Sequence, residues 1–137
     1  MRVVADTNIV VSGLMWRGNP RKVLDAARTG DITLFTTAML LAELEDVLSR
    51  KKFEERLASA AVRPRDLVLG YAALASVIEP AEIDPVILDD PDDDAVIACA
   101  VTARCEVVVS GDSHLLDLKR FQDIRVLTAA ELVAELQ

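Results

Sequence analysis

The sequence predicts an α/β fold: a short central parallel sheet flanked by helices on both faces. Two observations carry that expectation. Short strand-like runs alternate with helical segments along the chain, and Val107-Val108-Val109 is apolar without alternation, as a strand covered on both faces must be. Size adds a third: 137 residues suffice for one hydrophobic core, since a domain of this length buries roughly 68% of its unfolded surface. The expected organisation is one domain over residues 1–137.

The elements follow in order. Residues 2–5 form a short apolar strand, and Asp6-Thr7-Asn8 supplies helix-starting residues ahead of Ile9, Val10, Val11, Leu14 and Met15. Gly18-Asn19-Pro20 breaks the chain before a helix over residues 21–29, which Gly30 stops. Residues 32–35 read as a second strand. Thr36-Thr37 then caps a helix carrying Leu40, Leu41, Leu44, Val47 and Leu48 at helical spacing. Residues 50–61 form an amphipathic helix, and Pro64 suits the first turn of the next, through Leu67, Leu69 and Leu74. Val77-Ile78 is a brief strand. Three prolines and a crowd of acids make residues 80–94 the best loop candidate. Residues 95–103 are apolar nearly all round, hence a buried helix. After the valine strand, residues 125–127 form the last strand, and Thr128 with Glu131 makes a capping box for a closing helix to Leu136.

Hydrophobic residues make up 52% and charged residues 28%, a balance suited to a compact soluble protein. No apolar stretch approaches the roughly 20 residues that span a bilayer, and the N-terminal run reads as a buried strand, not a signal peptide. The two cysteines, Cys99 and Cys105, lack the spacing of a zinc site or disulfide framework. A reducing cytoplasm and no membrane association are therefore expected. The net charge of −8 opposes ordinary nucleic-acid binding, which rests on lysine and arginine neutralising phosphates. Clustered carboxylates holding divalent cations would soften that objection, because the ions then face the phosphate.

In parallel α/β sheets, ligands bind beyond the carboxyl ends of the strands. Asp6 and Asp112 follow strands there, Asp94 opens the buried helix, and Glu43 or Glu45 on the long helix could complete a set of four. Carboxylate oxygens suit Mg2+ or Mn2+, and such an ion polarises a phosphoryl oxygen and acidifies water. Phosphodiester hydrolysis is the natural use of that chemistry. Blander roles compete: Asp6 and Asp112 suit helix caps, and Asp92-Asp93-Asp94 suits a solvated helix start favoured by the macrodipole. Glu43 and Glu45 flank the apolar stripe on opposite sides, so periodicity leaves both open. His114 is the sole histidine and has no serine or cysteine placed to form a triad with it; it, Cys99 and Trp16 read as structural or incidental.

Taken together in order, Asp6-Thr7-Asn8, Ala42-Glu43-Leu44, Asp94-Ala95-Val96-Ile97-Ala98 and Ser110-Gly111-Asp112 resemble the PIN domain. With Leu48-Ser49-Arg50 and the phrase from Gly111 to Leu116, they resemble especially the VapC-like ribonucleases that act as toxins of bacterial and archaeal toxin-antitoxin pairs. The resemblance implies a metal-dependent ribonuclease using Mg2+ (or Mn2+), with RNA as substrate, a cognate antitoxin as partner and a homodimeric state. Carried over by motif, the quartet is Asp6, Glu43, Asp94 and Asp112, with Thr7, Asn8 and Ser110 as hydrogen-bonding support. The family pattern favours Glu43 over Glu45, and Asp94 over Asp92 and Asp93, while Asp90, Asp92 and Asp93 exceed what the quartet needs. The rival reading is a catalytically silent PIN-like interaction module. An active nuclease would instead want basic segments such as Arg17, Arg21-Lys22 or Arg50-Lys51-Lys52 near the acids. A signalling receiver fits poorly, wanting paired acids after the first strand, and an aspartate-nucleophile phosphatase wants an aspartate where Asn8 stands.

Overall fold

The computed structural model describes residues 1–81 and 91–137. Its elements are β1 (Arg2–Ala5), α1 (Thr7–Met15), α2 (Asn19–Thr29), β2 (Thr33–Thr36), α3 (Ala38–Leu48), α4 (Lys51–Ser59), α5 (Pro64–Leu74), β3 (Ser76–Val77), α6 (Pro91–Thr102), β4 (Val107–Val109), α7 (Ser113–Leu118), β5 (Arg120–Phe121), β6 (Ile124–Leu127) and α8 (Ala129–Leu136). The sheet of the described residues runs β3-β2-β1-β4-β6-β5. All neighbours are parallel except β5, which folds back antiparallel on β6. The expected α/β class with helices on both faces is therefore what forms, with a short antiparallel edge added to it.

Alternation along the inner strands sorts the core into two layers, because successive strand side chains point to opposite faces. Val3, Ala5, Leu34, Val107 and Val109 face one layer, with Val10, Leu24, Leu44 and Leu132 packed on them. Val4, Phe35, Val108 and Val126 face the other, beneath Val96, Ile97, Ala100 and Leu115. The buried strand Val107–Val109 contributes to both, which is why its sequence shows no polar alternation.

Caps read from the sequence are formed. The Thr37 side chain accepts from the Leu40 amide, Thr128 and Glu131 close a reciprocal box, and Gly30 ends α2 at φ 87°, a left-handed position that glycine takes without strain. Gly13 has a packing reason instead. A Cβ there would lie 2.8 Å from Leu24 Cδ1 and 2.9 Å from the Pro20 carbonyl oxygen, so its absence lets α2 lie against α1.

Several boundaries differ from expectation. Helix α2 begins at Asn19 with Pro20 in its first turn, where the missing amide hydrogen is not needed. Most of the loop expected over residues 80–94, including Asp90, lies outside the described residues. At its far end the structure corrects the reading, because α6 starts at Pro91 and not at residue 95. Proline pre-sets helical φ in a first turn, and the acids after it are favoured by the helix dipole. Neither α7 nor β5 is predicted by the local pattern. α7 is capped by Asp112, whose carboxylate accepts from the amides of His114 and Leu115, and β5 exists through its pairing with β6.

Candidate active site

The strand order reverses direction at β1, which lies between β2 and β4. Such a switch point opens a crevice at the carboxyl ends of the two central strands. Asp6 leaves β1 there, its amide donating to the Val109 carbonyl at 2.9 Å, and Ser110-Gly111-Asp112 leaves β4 beside it.

Asp6 stands at the N-cap of α1, yet its side chain makes no cap hydrogen bond. Its carboxylate turns to the neighbouring strand end, where buried Ser110 donates from Oγ to Asp6 Oδ2 at 2.7 Å. The same Ser110 Oγ accepts from the Asp112 amide at 2.9 Å. One hydroxyl thus couples the two strand-end acids. On the other flank, Thr7 Oγ1 donates to Glu43 Oε2 at 2.8 Å, tying α3 to the start of α1. Glu43, and not Glu45, is the α3 acid joined in this way, a choice that helical periodicity left open.

Asp6 is only 7% exposed. Burial pushes its carboxyl above the ordinary 3.8, Asp112 adds repulsion, and the Ser110 hydroxyl pulls back toward the charged form, helped by the nearby Thr7 and Asn8 amides, which form no full cap hydrogen bond. Buried, mutually repelling carboxylates are costly unless protonated or met by a cation. On α6, Asp93 is buried at 4% exposure, and the ligand atoms of Asp93, Asp112 and His114 all lie within 4.8 Å of one another. Two carboxylates and an imidazole at that spacing form a donor set that fits a divalent transition-series cation. Asp94, expected in the quartet, is half-buried one residue further along α6 and is not in this trio. His114, read from the sequence as incidental, stands at its edge, with Nδ1 3.9 Å from Asp112 Oδ1. The missed signal was its place two residues after a strand-end aspartate.

Ser110 gives the first prediction. Ser110→Ala removes a buried hydroxyl that Asp6 uses, at a cost of about 1–2 kcal/mol. Since Asp6 already titrates above its unfolded value, its charge is a penalty present above the folded pKa and relieved as pH falls through it. Losing Ser110 enlarges that penalty, so urea unfolding is expected to give a larger deficit at neutral pH than in mild acid. An equal deficit at both would remove Asp6 from the explanation.

Fold and site define an α/β domain with Asp6 and Asp112 at adjoining strand ends by the sheet's switch point and Asp93 within ligand distance of Asp112. The chain belongs to the PIN domain family, whose model matches residues 2–114. No curated protein matches it. Seven chains of solved structures do. VapBC2 from Rickettsia felis, solved bound to a DNA fragment from their promoter, aligns at TM-score 0.61 and 16% identity over 92% of this chain and 97% of that one. VapBC-1 from nontypeable Haemophilus influenzae aligns at TM-score 0.59 and 14% identity over 95% and 99%.

Proposed function

We propose that this protein is a divalent-metal-dependent endoribonuclease and the toxin of a toxin-antitoxin pair. The observation that carries the reading is the Ser110 hydroxyl joining Asp6 to the Asp112 backbone at the switch point. Family membership supports the class of activity, and the likeness to VapBC structures supports a cognate antitoxin; a homodimeric state is part of the same proposal. No helix of the described residues is long and apolar enough to cross a membrane; a cytoplasmic setting belongs to the proposal as well.

In this reading Asp6, Glu43, Asp94 and Asp112 hold Mg2+ or Mn2+, with Asp93 beside Asp94 in the first turn of α6. A cation bound there supplies positive charge against the phosphate and a more acidic water. Thr7 orients Glu43, and Ser110 orients Asp6 while favouring its charged form. Asp112 accepts from the first amides of α7, which fixes the carboxylate facing Asp93. Because these groups are positioned before substrate arrives, little reorganisation is left for the reaction itself.

The test is cleavage of a mixed RNA pool with Mg2+ or Mn2+, against EDTA and against Asp93→Asn and Asp94→Asn compared side by side. Cutting that needs the cation supports the nuclease, and the larger loss of the two identifies which α6 aspartate the centre uses. No cutting by folded, metal-loaded protein favours the silent interaction module, the reading that the charge of −8 suits best.

Metal binding has its own readout. At a concentration of about 100 times Kd, Mn2+ is expected to stabilise the fold by ~2.7 kcal/mol, with EDTA reversing the shift in a thermal melt. His114→Ala is expected to weaken Mn2+ more than Mg2+, since imidazole suits the former better than the latter. Equal weakening would place His114 outside the coordination sphere.

A further inference from the structure

Beside α1 lies a cavity of about 290 Å³ whose lining includes Asn8, Ser12, Trp16, Arg50, Lys52 and Phe53. Asn8 follows Asp6 and Thr7 directly, and Trp16 stands eight residues on, so the lining runs along α1 for about 12 Å at helical rise, starting two residues from Asp6. We propose that this cavity is a subsite for single-stranded RNA, with Trp16 stacking on a nucleobase and Arg50 and Lys52 meeting the flanking phosphates. The proposal rests on the nuclease reading only for the identity of the polymer.

Trp16 is 45% exposed yet held in place. Its ring meets Phe53 at 5.9 Å between centroids and a 53° tilt, and the Arg56 guanidinium lies 5.6 Å from its centroid. An exposed but fixed indole is a low-entropy platform for a planar base. The cations divide by role. Arg21 is committed to the Gly13 and Leu14 carbonyls, and Arg56 to the Met15 carbonyl. Arg50 and Lys52 line the cavity, and among the described residues Arg50 is held by a 3.7 Å pair with Asp46 at a largely exposed site. Pairs of that kind are weak enough for a phosphate to displace. In a chain of net charge −8, two cations beside an exposed aromatic form a local exception suited to a polyanion that carries rings.

Trp16 is the only tryptophan, so its fluorescence reports the stacking directly. The experiment titrates an Asp6→Asn protein, with Mg2+ present, with a mixed-sequence RNA hexamer and with an abasic ribose-phosphate hexamer. Saturable quenching by the first and binding without quenching by the second are expected. Trp16→Ala should weaken RNA binding roughly tenfold or more, while Trp16→Phe keeps most of the affinity. Arg50→Ala with Lys52→Ala should lower the salt slope by about 0.7 for each phosphate that is no longer neutralised. The proposal is overturned by RNA binding that leaves Trp16 fluorescence unchanged, by equal quenching with the abasic strand, or by equal quenching with an acidic peptide, which would make the cavity a protein-docking site. Because binding is measured and not cleavage, a protein that cuts nothing can pass this test, and an active nuclease can fail it.

Discussion

Asp6→Asn is expected to lower RNA cleavage by a factor on the order of 10³, about 4 kcal/mol of transition-state stabilisation, while making the metal-free protein more stable than its parent. The two effects share one cause. Asp6 is buried, its carboxyl is pushed above the ordinary range by that burial, and Asp112 repels it. Asparagine keeps the shape and an oxygen for Ser110 but removes the charge, which relieves about 1 kcal/mol in the absence of a cation. The same change deletes a ligand. Thermal melts with and without Mn2+, beside single-turnover cleavage, check both halves: the variant should melt higher in EDTA and gain less from metal. A variant that melts lower in EDTA would mean that Asp6 is a structural anchor whose charge is well satisfied.

Leu24→Ala is expected to cost about 3–5 kcal/mol by urea denaturation, the range for a fully buried leucine whose site collapses poorly. Leu24 is fully buried on α2 and occupies the space that Gly13 leaves open on α1. Gly13→Ala in the same chain should not refill the hole cleanly, because the Pro20 carbonyl would still stand 2.9 Å from the new methyl and is backbone. Against a total stability of about 5–15 kcal/mol, this change alone endangers the fold. A loss under about 1 kcal/mol would mean that α2 shifts freely on α1.

Local chemistry left clear marks along this chain. The alternation of strands and helices, the Thr37 cap, the Thr128 and Glu131 box, the Gly30 stop and the Pro64 start are all decided by residues within a few positions of one another. The strand-end places of Asp6 and Asp112 followed from the same short-range patterns. Two short elements were not legible. β5 is two residues paired to β6, and α7 is a six-residue helix too short to hold on its own propensity.

The acids divide in the same way. Sequence by itself determined that carboxylates stand at strand ends and at a helix start, because caps, strand termini and periodicity are local properties of the backbone. Only the tertiary structure decided that β1 and β4 lie side by side, so that Asp6 and Asp112 share Ser110, and that Thr7 meets Glu43 rather than Glu45. It also turned Asp93 toward Asp112, where one step along a helix rotates a side chain by about 100°. The physical reason is that meeting across a cleft depends on which elements the two core layers press together, and residues 104 positions apart, such as Asp6 and Ser110, carry no mark of that in their own surroundings.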